Sequence, residues 1–317
     1  MFSMAVQFCI RGLAHQDIAN VIAISDAIYP EYREDDGWRA AEQFDSERFT
    51  SYRYVGEAVD IIGYGAIRYM RELQGRIDLM VRPDHQRRGV GGKILEQLLT
   101  DLRSTNATAA HARVRQDHED AVSFLRNRGF VERQRMYGLR LNIAEVKLDD
   151  FWPVVRRLAL EGIQISTLAQ EQITEPDYIN KLLDLHNAAL PDWPDPEAVN
   201  FRPATYDSFA TRIDREAGGQ PDALFIAVKD RLYAGYSGMF ALGTAVRPEL
   251  RCRGIATALK VYTIHYAQQA HITTAMTCTA NPSMLAINEK LGYRRHLVEI
   301  RMMKPLDQTA TPSSTAP

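Results

Sequence analysis

The sequence predicts a duplicated, mixed α/β fold, and three observations carry that reading. A loop rich in arginine and glycine occurs twice, as Gln86-Arg87-Arg88-Gly89-Val90-Gly91 and as Arg251-Cys252-Arg253-Gly254-Ile255-Ala256. Each copy follows a strand-like run ending in Val-Arg-Pro (79–83 and 244–248) and opens a helix of apolar period. At nearly the same distance beyond each loop comes a second helix end closed by glycine and an aromatic, Leu125 to Phe130 and Asn288 to Tyr293. A single copy is within the reach of chance. Two copies in matching context point to a duplicated anion-binding domain.

The bulk numbers agree. A chain of 317 residues, 45% hydrophobic, holds two domains of ordinary size with a core in each. The net charge of −2 gives no basis for wholesale binding to nucleic acid or to an anionic membrane. Cys9, Cys252 and Cys278 lack metal-ligand spacing and an even count, so no metal site is expected and the setting reads as reducing and cytoplasmic. The first ten residues lack a basic leader and a cleavage site, and no run approaches a membrane span. Residues 306–317, rich in Thr, Ser, Ala and Pro, read as a disordered tail.

Alternation predicts a strand at 6–11, and apolar Ile18, Val21, Ile22, Ile24 and Ile28 predict a helix over 17–29. A second helix fits 37–49. Strands follow at 52–59, 60–70 and 76–81, with 72–75 as a hairpin turn. The first loop opens a helix over 89–102, then come a strand at 109–114, a helix at 119–127 closed by Gly129, and one or two strands within 130–141. Residues 148–162 read as a helical linker, with Asp149 as N-cap, Pro153 in the first turn and Gly162 as C-cap. The order then repeats: a strand at 164–168, helices at 177–189 and 206–216, and strands at 224–229, 232–240 and 242–246. A helix over 254–270, a strand at 273–278, a helix over 282–291 and a closing segment at 293–303 complete it. The second hairpin is shorter than the first. The division expected is 1–147, 148–162, 163–305 and 306–317. Because strands come first as a meander and later alternate with helices, each half reads as a central mixed sheet with helices on both faces.

A loop of this form turns several backbone N–H groups towards one point, where the positive end of the helix adds to their pull. A pyrophosphate would satisfy those donors. Gly89 and Gly254 let backbone approach the phosphates, Gly91, Gly92 and Ala256 keep the next turn free of bulk, and Arg87, Arg88, Arg251 and Arg253 can add charge-assisted contacts. Neither loop has the spacing of a dinucleotide fingerprint or the Gly-Lys-Ser/Thr ending of a triphosphate loop.

These residues resemble the GNAT superfamily of acyl-CoA N-acyltransferases, whose loop has the pattern Gln/Arg-x-x-Gly-x-Gly/Ala after a Val-x-Pro strand end. Its later helix runs Asn-x-x-Ala-x-x-x-Tyr-x-x-x-Gly-Phe, onto which Asn281, Asn288, Gly292 and Tyr293 fall in the second half. His118, Ala121, Leu125, Gly129 and Phe130 fall there in the first. The resemblance covers almost the whole chain twice, a tandem layout similar to that of mycothiol synthases. It implies acetyl-CoA as cofactor, held at Gln86 to Gly92 and Arg251 to Ala256, including Val90 and Ile255, with Asn281 and Asn288 assisting. It also implies that the strand before each loop splays from its neighbour, so that backbone near Val81 or Val246 pairs with the pantetheine arm.

The tyrosine that the family uses as general acid is replaced by Leu125 and Asn288. Tyr137, Tyr293 and Tyr236 are the nearest hydroxyls for that role, and Asp78 or His85 the candidate base. Cys252 and Cys278 lack a histidine partner in sequence, and direct transfer needs no nucleophile. The function expected is acetyl transfer from acetyl-CoA to a primary amine, of a small molecule, by a monomer or homodimer. A non-catalytic acyl-CoA-binding or scaffold protein and a protein N-acetyltransferase are the alternatives.

Overall fold

The computed structural model describes residues 7–30, 50–71, 74–192, 203–217, 219–239 and 242–306. The helix expected over 37–49, the first part of the 72–75 turn, and residues 307–317 of the expected tail lie outside them.

The chain forms two compact units, one of residues 1–134 with 299–317, the other of residues 135–298. These are not the contiguous halves 1–147 and 163–305, because residues 299–305 of the last strand belong with the first unit and residues 135–142 with the second. In chain order the first part contributes β1 (Cys9–Gly12), α1 (Ile18–Ile28), β2 (Thr50–Glu57), β3 (Ile61–Arg71), β4 (Gln74–Val81), α2 (Val90–Ser104), β5 (Ala109–Arg115), α3 (Glu119–Arg126) and β6 (Val131–Asn142). Next come α4 (Trp152–Leu160), β7 (Ile163–Thr167), α5 (Leu168–Thr174), α6 (Tyr178–Ala189), α7 (Tyr206–Ala217), β8 (Leu224–Lys229), β9 (Leu232–Gly238) and β10 (Thr244–Val246). Then α8 (Ile255–Gln269), β11 (Thr274–Thr279), α9 (Pro282–Lys290) and β12 (Arg294–Pro305) close the chain. The class is mixed α/β.

In the first unit β1 to β4 form an antiparallel meander, and β4 then pairs with β5 in parallel. Side chains alternate across β3. Tyr64 and Ala66 pack with Val21 and Ile24 of α1, while the other face carries Gly63 and Gly65 beside Ile67 and admits α2. A Cβ on Gly65 would stand 2.3 Å from Ile94, and one on Gly75 2.3 Å from Leu102. These glycines let α2 lie close on the sheet, and that sets the height of its N-terminus above β4.

The sheet opens where the site lies. The β4–β5 ladder runs only from Gln74↔Ala109 to Ile77↔Ala112, after which the two strands part. On its other side β5 pairs antiparallel with β12, from Glu299↔Arg115 to Pro305↔Ala109. Ile300, Met302 and Leu306 thereby enter the first core. Lys304 Nζ donates to the Arg128 carbonyl at 2.8 Å, just beyond the end of α3.

In the second unit β7 to β10 form a four-stranded sheet ordered β10-β9-β8-β7. Its last hairpin is indeed the shorter one, with β10 spanning three residues against eight in β4. Among the described residues β10 pairs with β9, while β11 pairs with β6, from Thr274↔Asn142 to Thr279↔Tyr137. The parting of strands is therefore complete here. The linker helix begins at Trp152 with Phe151 as N-cap rather than at Asp149, and Gly162 follows its end at φ +79°. An unforeseen helix, α5, starts at a capping box in which Thr167 and Gln170 satisfy each other's backbone N–H.

Candidate functional site

The two repeated loops have the same backbone. Arg87 and Gly89 take φ +62° and +87°, and Cys252 and Gly254 take φ +60° and +88°. Gly89 and Gly254 are the N-caps of α2 and α8, both left-handed. Alternation of right- and left-handed residues at a helix start forms a concave nest of N–H groups, the geometry that suits a phosphate. The side chains at the head of each loop match too. Gln86 Nε2 donates to the Val81 carbonyl at 3.2 Å, and Arg251 Nε donates to the Val246 carbonyl at 3.1 Å. Glutamine and arginine thus do one job: tying the loop to the strand end that precedes it.

Each loop forms the mouth of a cleft of about 400 Å³. The first lies where β4 and β5 part, lined by Leu79 to Val81, Arg113 and Val114, the loop, and the α3 residues Ala121, Phe124 and Leu125. The second lies between β10 and β11, lined by Gly243 to Val246, Thr277 to Thr279, the loop, and Asn281 and Met284 of α9. The described residues hold no cluster of three or more His, Cys, Asp or Glu suited to a metal ion. None of their helices is long and apolar enough to cross a membrane.

Beneath the two glycines the surroundings differ. A Cβ on Gly89 would meet nothing within 4 Å. One on Gly254 would stand 2.7 Å from Val154 Cγ2 and 3.1 Å from Arg157 Nη2, because α4 packs under the second loop. Arg157 Nη2 also donates to the Arg253 carbonyl at 2.6 Å. Alanine at either position meets the left-handed penalty of about 1 kcal/mol. At Gly254 it also overpacks α4, for a total of about 2–4 kcal/mol. Thermal unfolding should therefore register Gly254→Ala as clearly the more destabilising of the pair.

The candidate catalytic residues are placed less favourably. Asp78 does not line the first cleft; its carboxylate pairs with Arg68 Nε at 2.6 Å and Arg76 Nε at 3.5 Å. His85 does line the cleft, beside Arg82 and Asp84. Tyr137 belongs to the second unit, not the first, with the Arg295 guanidinium 4.7 Å from its ring centre. Tyr293 is buried, its hydroxyl pushed up to about 12 by desolvation, and it lines neither cleft. Tyr236 is buried too, bonded to His186 Nδ1 at 2.9 Å.

Among the cofactor candidates, Gln86, Arg87, Gly89, Gly91 and Gly92 line the first cleft, and Arg251, Gly254, Ile255, Ala256 and Asn281 the second. Val81 and Val246 line their respective clefts as well. Val90 is turned into the first core, and Arg88 and Arg253 lie outside the two linings. Asn281 caps α9, its Oδ1 accepting from Met284 N at 3.1 Å. Asn288 is fully buried and outside the lining, with both side-chain polar atoms unpartnered among the described residues.

Three lining residues were not singled out for chemistry from sequence. Tyr29, just beyond α1, stacks on His118 at 5.4 Å in the first cleft, and burial leads the lowering of that imidazole's pKa. In the second cleft Lys260 is 7% exposed, its amine 5.2 Å from the Tyr293 ring centre. Desolvation alone brings it down to about 8.

Residues 18–130 match the acetyltransferase (GNAT) family. The fold of almost the whole chain recurs in solved structures. A GCN5-related N-acetyltransferase from Sphaerobacter thermophilus superposes with a TM-score of 0.71 at 14% identity, over 94% of this chain and 95% of that one. A tandem GNAT protein from the clavulanic acid biosynthesis pathway gives 0.64 at 17% identity, over 95% and 100%. The glucosamine N-acetyltransferase region of a fungal multi-domain β-N-acetylglucosaminidase gives 0.73 at 16% identity, over 94% of this chain and 38% of that one. No protein of curated function matches in sequence.

Proposed function

We propose that this chain, whose residues 18–130 belong to the acetyltransferase (GNAT) family and whose fold is that of tandem acyltransferases, moves an acetyl group from acetyl-CoA to a primary amine of a small molecule. The observation that carries the reading is the same nest of backbone built twice, each time at the mouth of a cleft between parted strands. Both loops fit a pyrophosphate: their N–H groups converge, glycine stands at the turn, and arginines flank it. Among the described residues the edges of β4 beyond Ile77 and of β10 pair with no further strand and offer backbone to an extended pantetheine arm.

Acyl-CoA supplies an activated thioester, so the protein's part is to bring an amine to it, accept a proton and manage the leaving sulfur. In the first cleft His85 and His118 are the lining imidazoles, the side-chain type best suited to general-base work. Leu125 stands where the family's acid would be, which favours water as proton donor there and also supports the second reading of a cofactor-binding module.

Calorimetry with acetyl-CoA should count two sites. Release of CoA thiol should follow addition of an amine panel that includes amino sugars, amino acids, polyamines and a lysine peptide. Binding without thiol release from any amine would favour the binding module, and release with the peptide alone would favour a protein acetyltransferase.

A further inference from the structure

Lys260 presents a charge problem that none of the described residues solves. It lies on the second turn of α8 and lines the second cleft, yet only 7% of it is exposed. Among the described residues no carboxylate pairs with its amine and no oxygen accepts from it; the neighbour is the face of the Tyr293 ring, 5.2 Å away. Burying an ammonium without a counter-charge is costly, and such groups are kept where a ligand brings the opposite charge. The other titratable residues of the lining are Arg251, Cys252 and Cys278, and no carboxylate is among them.

The position along the helix says which part of a ligand that would be. A phosphate bound at the α8 N-terminus sits at Gly254 and Ile255. Lys260 lies about 8 Å further along the axis at the usual helical rise. It faces a lining that also includes Gly243 and Thr244, the end of β10 remote from the loop. Past its phosphates an acetyl-CoA is uncharged until the acyl group departs, when the sulfur becomes a thiolate. A cation complementary to that charge stabilises the transition state more than the ground state.

We infer that Lys260 is the proton donor to the departing CoA sulfur in the second cleft, taking the place of the tyrosine that Asn288 replaces. This rests on the reading that the second cleft binds acyl-CoA. The amine nitrogen attacks the thioester carbon, the C–N bond forms, the C–S bond breaks and its electron pair goes to sulfur. Lys260 Nζ–H supplies the proton that makes the free thiol. The proton lost by the attacking nitrogen restores the ammonium through solvent. An amine lowered to about 8 by burial is well matched to a thiol near about 8.5, so the proton passes without a large mismatch. Sequence reading missed this residue because a lysine within a helix ordinarily means a solvated face.

The test is a titration of bound CoA itself. Wild type, Lys260→Met and Lys260→Arg are each saturated with free CoA, and thiolate absorbance is followed against pH, the first cleft contributing equally to all three. In wild type and in Lys260→Arg one bound thiol should ionise at least one pH unit lower than in Lys260→Met, a tenfold shift. Thiol release in the amine assay should fall at least tenfold in both variants, because arginine holds the thiolate but does not give up its proton. Equal thiol midpoints in wild type and Lys260→Met, with acetyl-CoA still filling both clefts, would overturn the assignment. Absence of acetyl-CoA from the second cleft of wild type, seen as unchanged stoichiometry in Cys252→Asp, would instead remove the underlying reading, and the inference with it. Circular dichroism and melting of Lys260→Met confirm that the variant is folded.

Discussion

A chain ended after Val298 should lose the first unit's fold while keeping ordered structure in the second. The shortened chain loses Ile300, Met302 and Leu306, which are 2%, 1% and 6% exposed in the first core. Burial of each such side chain contributes about 1.5–3 kcal/mol. Their sum approaches the whole stability of a domain, about 5–15 kcal/mol. The backbone loss compounds it. β5 would keep only the ladder from Gln74↔Ala109 to Ile77↔Ala112, and a central strand would become an edge. The carbonyl of Arg128 would lose the Lys304 ammonium that caps it. Hydrogen exchange should show protection gone from β3 to β5 and α2 but retained in β8, β9 and α8. A peptide of residues 299–306 added in trans should recover part of it. Full protection of β5 in the shortened chain would mean that β12 is dispensable.

Gly89→Glu should remove acetyl-CoA from the first cleft with little cost to folding. The position has open space around its Cβ site, so a side chain can start there without displacing a neighbour. Its φ of +87° carries a penalty of about 1 kcal/mol for a non-glycine residue. Against the phosphates, a carboxylate within about 4–5 Å opposes binding by about 3 kcal/mol in a partly solvated setting, and it also fills the nest. The expected result is a loss of affinity of over about 100-fold at one site, read as a stoichiometry that falls from two to one. The melting temperature should shift by only a few degrees. A matching change at Gly254 would confuse binding with folding, since Val154 and Arg157 fill the space below it. Cys252→Asp is the cleaner counterpart, as aspartate tolerates the left-handed φ of +60° and brings charge to the exposed face of the second loop.

Legibility from sequence followed the range of the interactions. Both loops could be read because a strand end, a left-handed glycine and a helix start are local, and the residues that make them adjoin in the chain. The short second hairpin was legible for the same reason. The pairing of Asp78 with Arg68 was hidden because only the β3–β4 register brings the two together; Arg76, two residues away on the same face, was the local hint. The capping box Thr167-x-x-Gln170 was a usable signal for α5. Lys260 offered none, because its burial and its lack of a counter-charge among the described residues arise from packing around α8. The destination of β12 was equally hidden: an alternating run specifies a strand, not which sheet receives it.

That last strand has a consequence for how the molecule comes into being. A ribosome emits residues 109–115 long before residues 299–305, the segment with which they pair. Until then the emerging first unit carries an open edge and a core lacking Ile300, Met302 and Leu306. The unit cannot complete itself during synthesis, and its nascent form is a natural client for chaperones. The two sequence repeats are therefore inseparable: a cut between them leaves β5 without β12 and β11 without β6.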